Sequence, residues 1–312
     1  MLRRALLSLP LLVACSDPPR AIVDPDAPAS PDAAVDAAHP PDCAPLGECN
    51  WLDGYQRRIV GSLSGEQDIA PGLRLSHRAS VAERDATRVF LTDELTALGL
   101  TPRRHNYNTG IYTGSNVLAT LDATSGSGGA IIVGAHFDSV PAGPGAADNA
   151  TGVAMVLAAA RYLRTVPQRQ HPVIFAMFDQ EELGLIGSRQ YVRTLMGTDV
   201  MGVHVFDMLS FDGDGDKAVE LWSPTPALQA VYQTHGAAAG MPISAVSFQS
   251  SDHQAFLEAG FRATGVGEEF VAMDHTPHYH KATDTFENVS FDHLARVTHL
   301  MLAVLDAEVR TP

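Results

Sequence analysis

Short, wholly apolar runs alternate with longer segments of helical periodicity along most of the chain. Runs of about four to eight apolar residues between polar or turn residues are typical of strands that are buried on both faces. The predicted strands are GGAIIVGAH (128–136), PVIFAMFD (172–179), MGVHVFDM (201–208) and RATGVG (262–267), and the predicted helices are 150–163, 185–196, 226–240, 252–259 and 292–309. This alternation predicts an α/β fold with a mostly parallel central sheet and helices on both faces.

A further helix is predicted upstream of these elements. Ser80 and Glu83 have the spacing of a capping box, and Gly99 is a natural C-terminal stop. We expect its buried apolar stripe to consist of Val81, Val89, Phe90, Leu95 and Leu98. Two extended segments are predicted after it, RRHNYN and SNVLATL.

The first 15 residues, MLRRALLSLPLLVAC, have the features of an export signal. Two arginines precede an apolar run that is too short to span a bilayer. The LVAC sequence is similar to a bacterial lipobox, in which the cysteine becomes the lipidated first residue of the mature chain. We therefore predict a lipoprotein-type signal peptide at 1–15 and a lipoprotein of the bacterial cell envelope (periplasm or outer membrane), or a secreted protein. An ordinary signal peptide with a chance cysteine at position 15 is the alternative.

Residues 16–42 consist almost wholly of Asp, Pro, Ala and Ser, and they are predicted to form a disordered tether. The composition of a folded domain begins near residue 50, and a single domain is predicted for 43–312. Because export implies an oxidising compartment, Cys43 and Cys49 are expected to form a short disulfide loop rather than two free thiols. No run of about 18 apolar residues occurs, so no membrane span is expected.

Composition and charge narrow the class of protein. The chain has 312 residues, of which 45% are hydrophobic and 18% charged, as expected for a globular α/β protein with a sizeable core. The net charge of −15 leaves no basic stripe that could meet phosphates, so nucleic acid is excluded as a partner.

Acidic and histidine residues lie at the ends of the predicted strands, where open α/β sheets bind their ligands. They are His136 and Asp138, then Asp148, then Glu181 and Glu182, then Asp207, and finally the loop DHTPHYHKATDT (274–285) with three histidines. Carboxylates and imidazoles that converge on one crevice are the ligands that one or two zinc ions need. Two histidines and three carboxylates would leave one positive charge on two zinc ions, which a bridging hydroxide would cancel.

The adjacent glutamates need their own explanation, because burial of unpaired charge beside a core strand is costly. Adjacent side chains in extended backbone point in different directions. One glutamate could therefore bind metal while the other moves a proton. The residues alone do not say which glutamate has which role.

Five motifs occur in an order that resembles the dizinc exopeptidases of metallopeptidase family twenty-eight, which include secreted bacterial leucine aminopeptidases. They are GAHFDSV, GAADNATGVA, FDQEELGLIGS, FDM and YHKATDT. Each motif alone is weak, but their order makes a chance resemblance improbable. The resemblance covers roughly residues 50–310 and implies a zinc-exopeptidase fold, the phosphorylase/hydrolase-like sandwich.

The resemblance also implies roles for single residues around two zinc ions per chain. The five implied ligands are His136 and His280 (one for each zinc), Asp148 (bridging both), and Glu182 and Asp207 (one for each zinc). Glu181 would be the general base, which takes a proton from the metal-bound water and passes it to the leaving amine. Tyr279 would help to stabilise the tetrahedral oxyanion. Asp138 resembles the carboxylate that orients a ligand imidazole.

Other residues keep structural interpretations. Asp148 could cap the helix that follows it, and Asp207 could be a turn residue. His275 and His278 are expected to be loop residues or pocket contacts rather than ligands.

Two further segments carry polar residues with open roles. In SDHQAF (251–256), Ser251 could cap a helix, while Asp252 or His253 could equally line the pocket or support a ligand. DGDGD (212–216) could hold calcium. Because it departs from an EF-hand at Lys217 and Ser223, an exposed acidic turn is the preferred interpretation.

The predicted function is that of a zinc-dependent exopeptidase, most simply an aminopeptidase that acts on peptides with a free N-terminus through a metal-bridging hydroxide and Glu181. The alternatives are a glutaminyl cyclase, a carboxypeptidase with a basic pocket, and a non-catalytic, lipid-anchored binding protein. The segments QEELGLIGS and ADNATG resemble the hydrolases more than the cyclases. The complete set of ligands and base disfavours a binding protein. Contact with a membrane is expected only through a lipid anchor at Cys15.

Overall fold

The computed structural model describes residues 49–126 and 128–311, which fall within one compact unit. The predicted signal peptide, tether and Cys43 lie outside the described residues. Cys49 is disulfide-bonded. Within the described ranges, no helix is both long and apolar enough to cross a membrane.

The described residues form eight strands and seven α-helices. The strands are β1 (Arg103–Asn108), β2 (Thr113–Leu121), β3 (Ala130–His136), β4 (Val173–Phe178), β5 (Val200–Asp207), β6 (Val219–Trp222), β7 (Ile243–Val246) and β8 (Ala263–Gly267). The helices are α1 (Leu52–Leu63), α2 (Val81–Ala97), α3 (Thr151–Leu163), α4 (Ile186–Thr194), α5 (Pro226–Ala239), α6 (His253–Glu258) and α7 (Phe291–Arg310). Short non-α turns occur at Ala146–Ala150 and Phe286–Asn288.

All eight strands form one sheet in the order β1-β2-β4-β3-β5-β8-β6-β7. The four central strands β4, β3, β5 and β8 are parallel, as predicted. The flanking strands make the sheet mixed, because β2 is antiparallel to β1 and β4, and β6 is antiparallel to β8. A tight turn joins β1 to β2, and such a turn can only connect antiparallel neighbours.

Helices cover both faces of the sheet, as the alternation of elements predicts. Along β4, Phe175 and Met177 belong to the larger core cluster, with side chains from α1, α3 and α7. The intervening Ala176 and Phe178 belong to a second cluster with α4 and α6. Alternate strand side chains point to opposite faces, so both faces of the strand are buried and the run is apolar throughout.

The buried face of α2 differs from the prediction. The Ser80 side chain accepts a hydrogen bond from the Glu83 amide at 3.3 Å, so the predicted cap is confirmed. Leu95 is buried as expected, but Val81 and Val89 are 64% and 55% exposed. The face turned toward the sheet instead carries arginines that form ion pairs with a buried carboxylate, so an apolar stripe does not define it.

Candidate active site

His136 and Asp207 lie at the carboxyl ends of two neighbouring parallel strands. His136 ends β3 and Asp207 ends β5, and both side chains are buried. His136 Nε2 lies 3.3 Å from Asp207 Oδ1. The Ser251 hydroxyl donates to Asp207 Oδ2 at 2.7 Å and fixes that carboxylate. The pairing of the strands therefore brings these two predicted ligands together.

Asp148 stands between the two predicted ligand histidines. Its Oδ1 lies 3.3 Å from His136 Nε2, and its Oδ2 lies 3.2 Å from His280 Nε2. The turn that carries it is held by Asp284, which accepts hydrogen bonds from the amides of Ala147 at 2.7 Å and Asp148 at 3.0 Å. Asp148 therefore faces the centre of the site and does not cap α3 with its side chain.

A buried arginine, which the sequence patterns do not predict, also holds the turn that carries Asp148. The Arg78 guanidinium is fully buried and donates to the carbonyl groups of Phe137, Pro144 and Gly145. Gly145 has a φ of 68°, and a Cβ there would collide with the backbone oxygen of Asp148. Position 145 thus requires glycine for both its conformation and its close contacts.

Glu181 and Glu182 follow β4 in a turn and point in different directions. Glu182 Oε2 lies 3.1 Å from His280 Nε2, and its Oε1 accepts a hydrogen bond from the Val140 amide at 3.0 Å. Glu181 instead lines the pocket beside His136. This divergence is the arrangement expected if one glutamate binds metal and the other moves a proton.

Asp138 supports both glutamates and the first histidine. Its two oxygens accept hydrogen bonds from the amides of Glu181 at 3.0 Å and Glu182 at 3.2 Å. Its Oδ1 also lies 3.5 Å from His136 Nδ1. The predicted contact with the imidazole is present, and the sequence does not reveal the additional support of the glutamate turn.

The five predicted ligands form two sets that share one carboxylate. One set is His136, Asp148 and Asp207, and the other is Asp148, Glu182 and His280. Ligand atoms of His136, Asp148 and Glu182 lie within 4.8 Å of one another. Imidazole nitrogens and carboxylate oxygens are the donors that zinc prefers. The residues present therefore fit a metal centre.

The electrostatics of the site favour positive charge at its centre. Contacts with Asp148 and Glu182 raise the pKa of His280 to about 10. Burial opposes ionisation of His136, but Asp207 and Glu181 offset it and its pKa lies well above its usual value. Burial raises the pKa of Glu181 well above its ordinary range, and it also raises the pKa of Glu182. Divalent cations would stabilise the same carboxylates more effectively than two protonated imidazoles.

A small pocket opens beside this centre. Its lining combines the polar residues His136, Asp148, Glu181, Asp207, Ser250, Tyr279 and His280 with the apolar wall Met208, Trp222, Phe248 and Phe270. The space in and directly in front of the pocket, open solvent included, is about 280 Å³. The sequence patterns do not predict the aromatic wall.

The three histidines of the loop 274–285 have different surroundings, with His280 at the centre of the site and His275 and His278 away from it. The Tyr279 ring stacks on His280, with centroids 3.8 Å apart. His275 stacks on Phe270 at 4.3 Å, and His278 contacts Thr283 through Nδ1 at 2.9 Å. Neither His275 nor His278 contacts the predicted ligands, so both are loop or pocket residues.

Asp252 and His253 have different environments. Asp252 is fully buried, and burial together with nearby carboxylates raises its pKa to about 7, against the opposing effect of His136. His253 Nε2 lies 2.9 Å from the carbonyl oxygen of Phe248, and burial lowers the pKa of His253 to about 4. Asp252 thus belongs to the charge environment of the site, whereas His253 supports the pocket wall.

Comparison with known families identifies the chain. Residues 116–305 match the model of Peptidase family M28. This range contains all the predicted ligands and covers more than half of the chain, so the chain belongs to Peptidase family M28.

Two curated relatives bear aminopeptidase names. The "Probable lipoprotein aminopeptidase LpqL" of Mycobacterium tuberculosis is 32% identical in an alignment of 207 residues that covers 56% of this chain and 41% of the relative. "Aminopeptidase YwaD" of Bacillus subtilis is 34% identical in an alignment of 188 residues that covers 58% of this chain and 41% of the relative. The chain thus spans about two-fifths of the length of these relatives.

Solved structures share the fold. A zinc aminopeptidase from Bacillus subtilis superposes with a TM-score of 0.76 at 16% identity, over 85% of this chain and 97% of the other. Glutaminyl cyclase from Porphyromonas gingivalis superposes with a TM-score of 0.66 at 17% identity, over 82% and 98%. At these identities the likeness establishes the α/β fold and not the reaction.

Proposed function

We propose that the protein is a zinc-dependent aminopeptidase that removes single residues from the free N-terminus of peptides. The observation that carries the proposal is the pair of ligand sets that share Asp148, beside a small pocket that Glu181 also lines. Membership of Peptidase family M28 and the names of its relatives support it.

Two zinc ions would be held by the two sets, with Asp148 common to both. His136 and Asp207 would complete one set, and Glu182 and His280 the other. When bound, zinc supplies a Lewis acid that polarises the scissile carbonyl group and makes water more acidic. The protein supports this arrangement by fixing the carboxylates through Ser251, Asp284 and the Val140 amide.

Glu181 would transfer the proton. Its amide is anchored on Asp138, and its side chain lines the pocket and is not aimed at His280. Burial raises its pKa well above that of an exposed glutamate, which suits a group that accepts a proton from water and returns it to the leaving amine near neutral pH.

Tyr279 would donate a hydrogen bond to the oxyanion that forms when water attacks. Burial and the carboxylates of Asp148 and Asp207 raise the pKa of its phenol. The hydroxyl group therefore remains a donor at neutral pH. The stack on His280 holds the ring beside the centre.

The charge of the pocket favours the N-terminus over the C-terminus of a peptide. None of the described residues that line it is Lys or Arg, whereas Asp148, Glu181 and Asp207 do line it. A carboxypeptidase needs a cation for the terminal carboxylate, and none of these lining residues supplies one. Zinc would neutralise Asp148 and Asp207, so Glu181 is the lining carboxylate left to attract an ammonium group. The aromatic and Met208 wall indicates a preference for apolar N-terminal side chains.

Glutaminyl cyclisation is the second candidate function, because the cyclase from Porphyromonas gingivalis has the same fold. Cyclisation needs an N-terminal glutamine and no attacking water. Peptides with N-terminal glutamine therefore distinguish the two reactions, since cyclisation releases ammonia and leaves every peptide bond intact.

We also propose export and a lipid anchor at Cys15. The lipobox-like LVAC sequence and the relative named a lipoprotein aminopeptidase support this proposal. Expression of the full chain and its Cys15→Ala variant in a bacterium that processes lipoproteins tests it. We expect the wild type to be in the membrane fraction with an acylated N-terminal cysteine, and the variant to be soluble or unprocessed. Wild-type protein without an acyl group would contradict the anchor.

The test of the activity is hydrolysis of a panel of aminoacyl-p-nitroanilides and their N-acetylated counterparts. We expect release only from free-amine substrates, loss of activity on chelation and recovery with zinc. Mass spectrometry is expected to find two zinc ions per chain. Absence of bound zinc would overturn the metal centre. Bound zinc with turnover only of N-terminal glutamine would assign the cyclase reaction.

A further inference from the structure

A second group of carboxylates lies outside the proposed active site. Asp212, Asp214 and Asp216 lie in the loop between β5 and β6, and Glu269 and Asp274 lie in the loop after β8. An isolated β-bridge pairs Glu269 with Asp274. Two overlapping triads have oxygens within 4.8 Å of one another, namely Asp212, Asp214 and Asp274, and Asp214, Asp216 and Glu269. The exposed acidic turn predicted from the sequence thus supplies three of the five carboxylates in the group.

The two loops are fixed against each other by backbone amides. Asp274 Oδ2 accepts hydrogen bonds from the amides of Gly213 at 2.8 Å and Asp214 at 3.3 Å. Within the first loop, Asp212 Oδ1 accepts from the Gly215 amide at 2.9 Å. These contacts use one oxygen of Asp274 and one oxygen of Asp212, whose second oxygen lies 3.6 Å from His293 Nδ1.

Glu269 is the unusual member of the group. It is only 8% exposed, and no described residue gives its side chain a hydrogen bond or an ion pair. Burial and the neighbouring carboxylates of Asp216, Glu220 and Asp214 raise its pKa to about 7. Carboxylates crowded together in this way repel one another unless a cation compensates their charge.

Two buried glutamates nearby show the normal arrangement. Glu268 accepts hydrogen bonds from the amides of Ser210 at 3.0 Å and Thr276 at 2.8 Å. Glu220 accepts from the Trp222 indole at 3.1 Å and from two backbone amides. Only Glu269 of these three lacks such partners among the described residues, and its carboxylate points toward Asp214 and Asp216.

We propose that Asp214, Asp216 and Glu269, together with Asp212 and Asp274, bind a calcium ion. Every donor is a carboxylate oxygen, and hard cations are bound by such sets. Several carboxylates from two irregular loops suit the larger and more variable coordination shell of calcium better than the strict octahedron of magnesium. The departures from an EF-hand at Lys217 and Ser223 do not exclude calcium binding, because two of the proposed ligands come from a separate segment.

The ion would fix the wall of the active-site pocket. Glu269 directly precedes Phe270, whose ring stacks on His275 and contacts the edge of Tyr279 with centroids 5.2 Å apart. Calcium would tie this segment to the loop that follows β5. We therefore expect calcium to raise thermal stability and to lower KM for apolar substrates, with little effect on kcat.

Two measurements test the site. Zinc-loaded protein is titrated with calcium chloride in a calorimeter. Its thermal unfolding is then followed in zinc-containing buffer, with and without calcium at about 10 mM, which is roughly ten or more times Kd. We expect one ion per chain with Kd of about 10⁻⁵–10⁻³ M. We expect Tm to rise by about 3–6 °C if Kd is about 10⁻³ M, and by about 8–16 °C if Kd is about 10⁻⁵ M. Magnesium at the same concentration is expected to give a smaller shift.

Glu269→Gln and Asp214→Asn are expected to abolish the calcium response. In calcium-free buffer, Glu269→Gln is expected to melt no lower than the wild type, because it removes a repulsive charge. Glu66→Gln, at an exposed position, is the matched control and should keep the full response. No calcium-dependent shift in the wild type, an equal shift in Glu269→Gln, or an equal response to magnesium would each overturn the proposal.

Discussion

The carboxylate of Asp138 accepts a hydrogen bond from the backbone amide of Glu181 at 3.0 Å. The side chain that contacts the His136 imidazole therefore also fixes the turn that carries the proposed base. A single buried carboxylate thus couples the position of a proposed metal ligand, His136, to the position of the proposed base, Glu181.

Asp138→Asn is expected to reduce zinc affinity or activity about 10- to 100-fold, the range observed when a group that orients a metal ligand is changed. The amide keeps one acceptor oxygen, but its NH₂ group meets a backbone N–H donor of the glutamate turn. Zinc affinity measured with a competing chelator, together with kcat, checks this expectation. Unchanged values in a folded variant would show that the turn holds its position without Asp138.

Substitutions of the two adjacent glutamates are expected to have different effects. Glu181→Gln should keep its zinc and lose about 10²–10⁴-fold in kcat, because a general base is removed. Glu182→Gln should lose bound metal, because it contributes to the set around His280. Metal content and kcat of both variants, measured side by side, form the test. Equal zinc loss in both would contradict the assignment of roles.

The sequence patterns predict the central strands and their ends well, because burial on both faces makes those strands continuously apolar. They do not predict β6, β7 or α1, which are short or carry mixed polarity. The buried face of α2 is predicted only in part, because Leu95 and Leu98 are buried whereas Val81 and Val89 are exposed. Hydrophobic periodicity cannot show that Arg84 and Arg88 turn toward buried Asp179, since an ion pair across about 90 positions leaves no local pattern.

The predicted ligands come together because strand ends meet at one edge of a parallel sheet. Their roles came from the family resemblance and remain proposals. Sequence motifs do not reveal residues that support the site through contacts with backbone groups. Arg78 contacts carbonyl groups and Asp284 contacts amides, and neither contact depends on a recognisable pair of side chains. The partner loop of the acidic turn is likewise visible only after folding.

Tyr279→Phe tests the proposed oxyanion donor. The ring stack on His280 needs no hydroxyl group, so the pocket and the metal ligands should keep their positions. We expect kcat to fall about 10²-fold or more with little change in KM, as when an oxyanion donor is removed. Tyr112→Phe, in the turn between β1 and β2, is the matched control. A rise in KM with an unchanged kcat would instead assign Tyr279 to substrate binding.

Phe270→Ala tests the apolar wall of the pocket. Loss of the ring removes contact with a large N-terminal side chain, and partial burial of such a group contributes roughly 1–2 kcal/mol. We expect kcat/KM for leucyl substrates to fall about 10-fold, and that for alanyl substrates to fall much less. Kinetics with the two p-nitroanilides measure the ratio. An equal loss for both would mean that the ring positions the loop and does not select the substrate.

A buried network away from the active site predicts how stability depends on pH. Glu308 Oε2 lies 2.6 Å from His204 Nε2, and its Oε1 accepts a hydrogen bond from Arg262 at 2.7 Å. Tyr232 contacts the other nitrogen of His204 at 2.8 Å. Burial alone would raise the pKa of Glu308, but His204 and Arg262 more than offset it, and the pKa lies below its usual value.

A carboxyl group with a lowered pKa in the folded state stabilises the protein above its unfolded pKa of about 4.3, and this stabilisation is lost as the pH falls through the folded value. Glu308→Gln should cost about 3 kcal/mol at neutral pH, since it breaks a buried pair. The corresponding fall in Tm is about 6–10 °C. The test is thermal unfolding of the wild type, Glu308→Gln and the Glu66→Gln control between about pH 3 and 7, a range that brackets a carboxyl pKa. The difference in Tm between the wild type and Glu308→Gln should shrink below about pH 4. A difference that does not change with pH would mean that packing, and not charge, explains the loss.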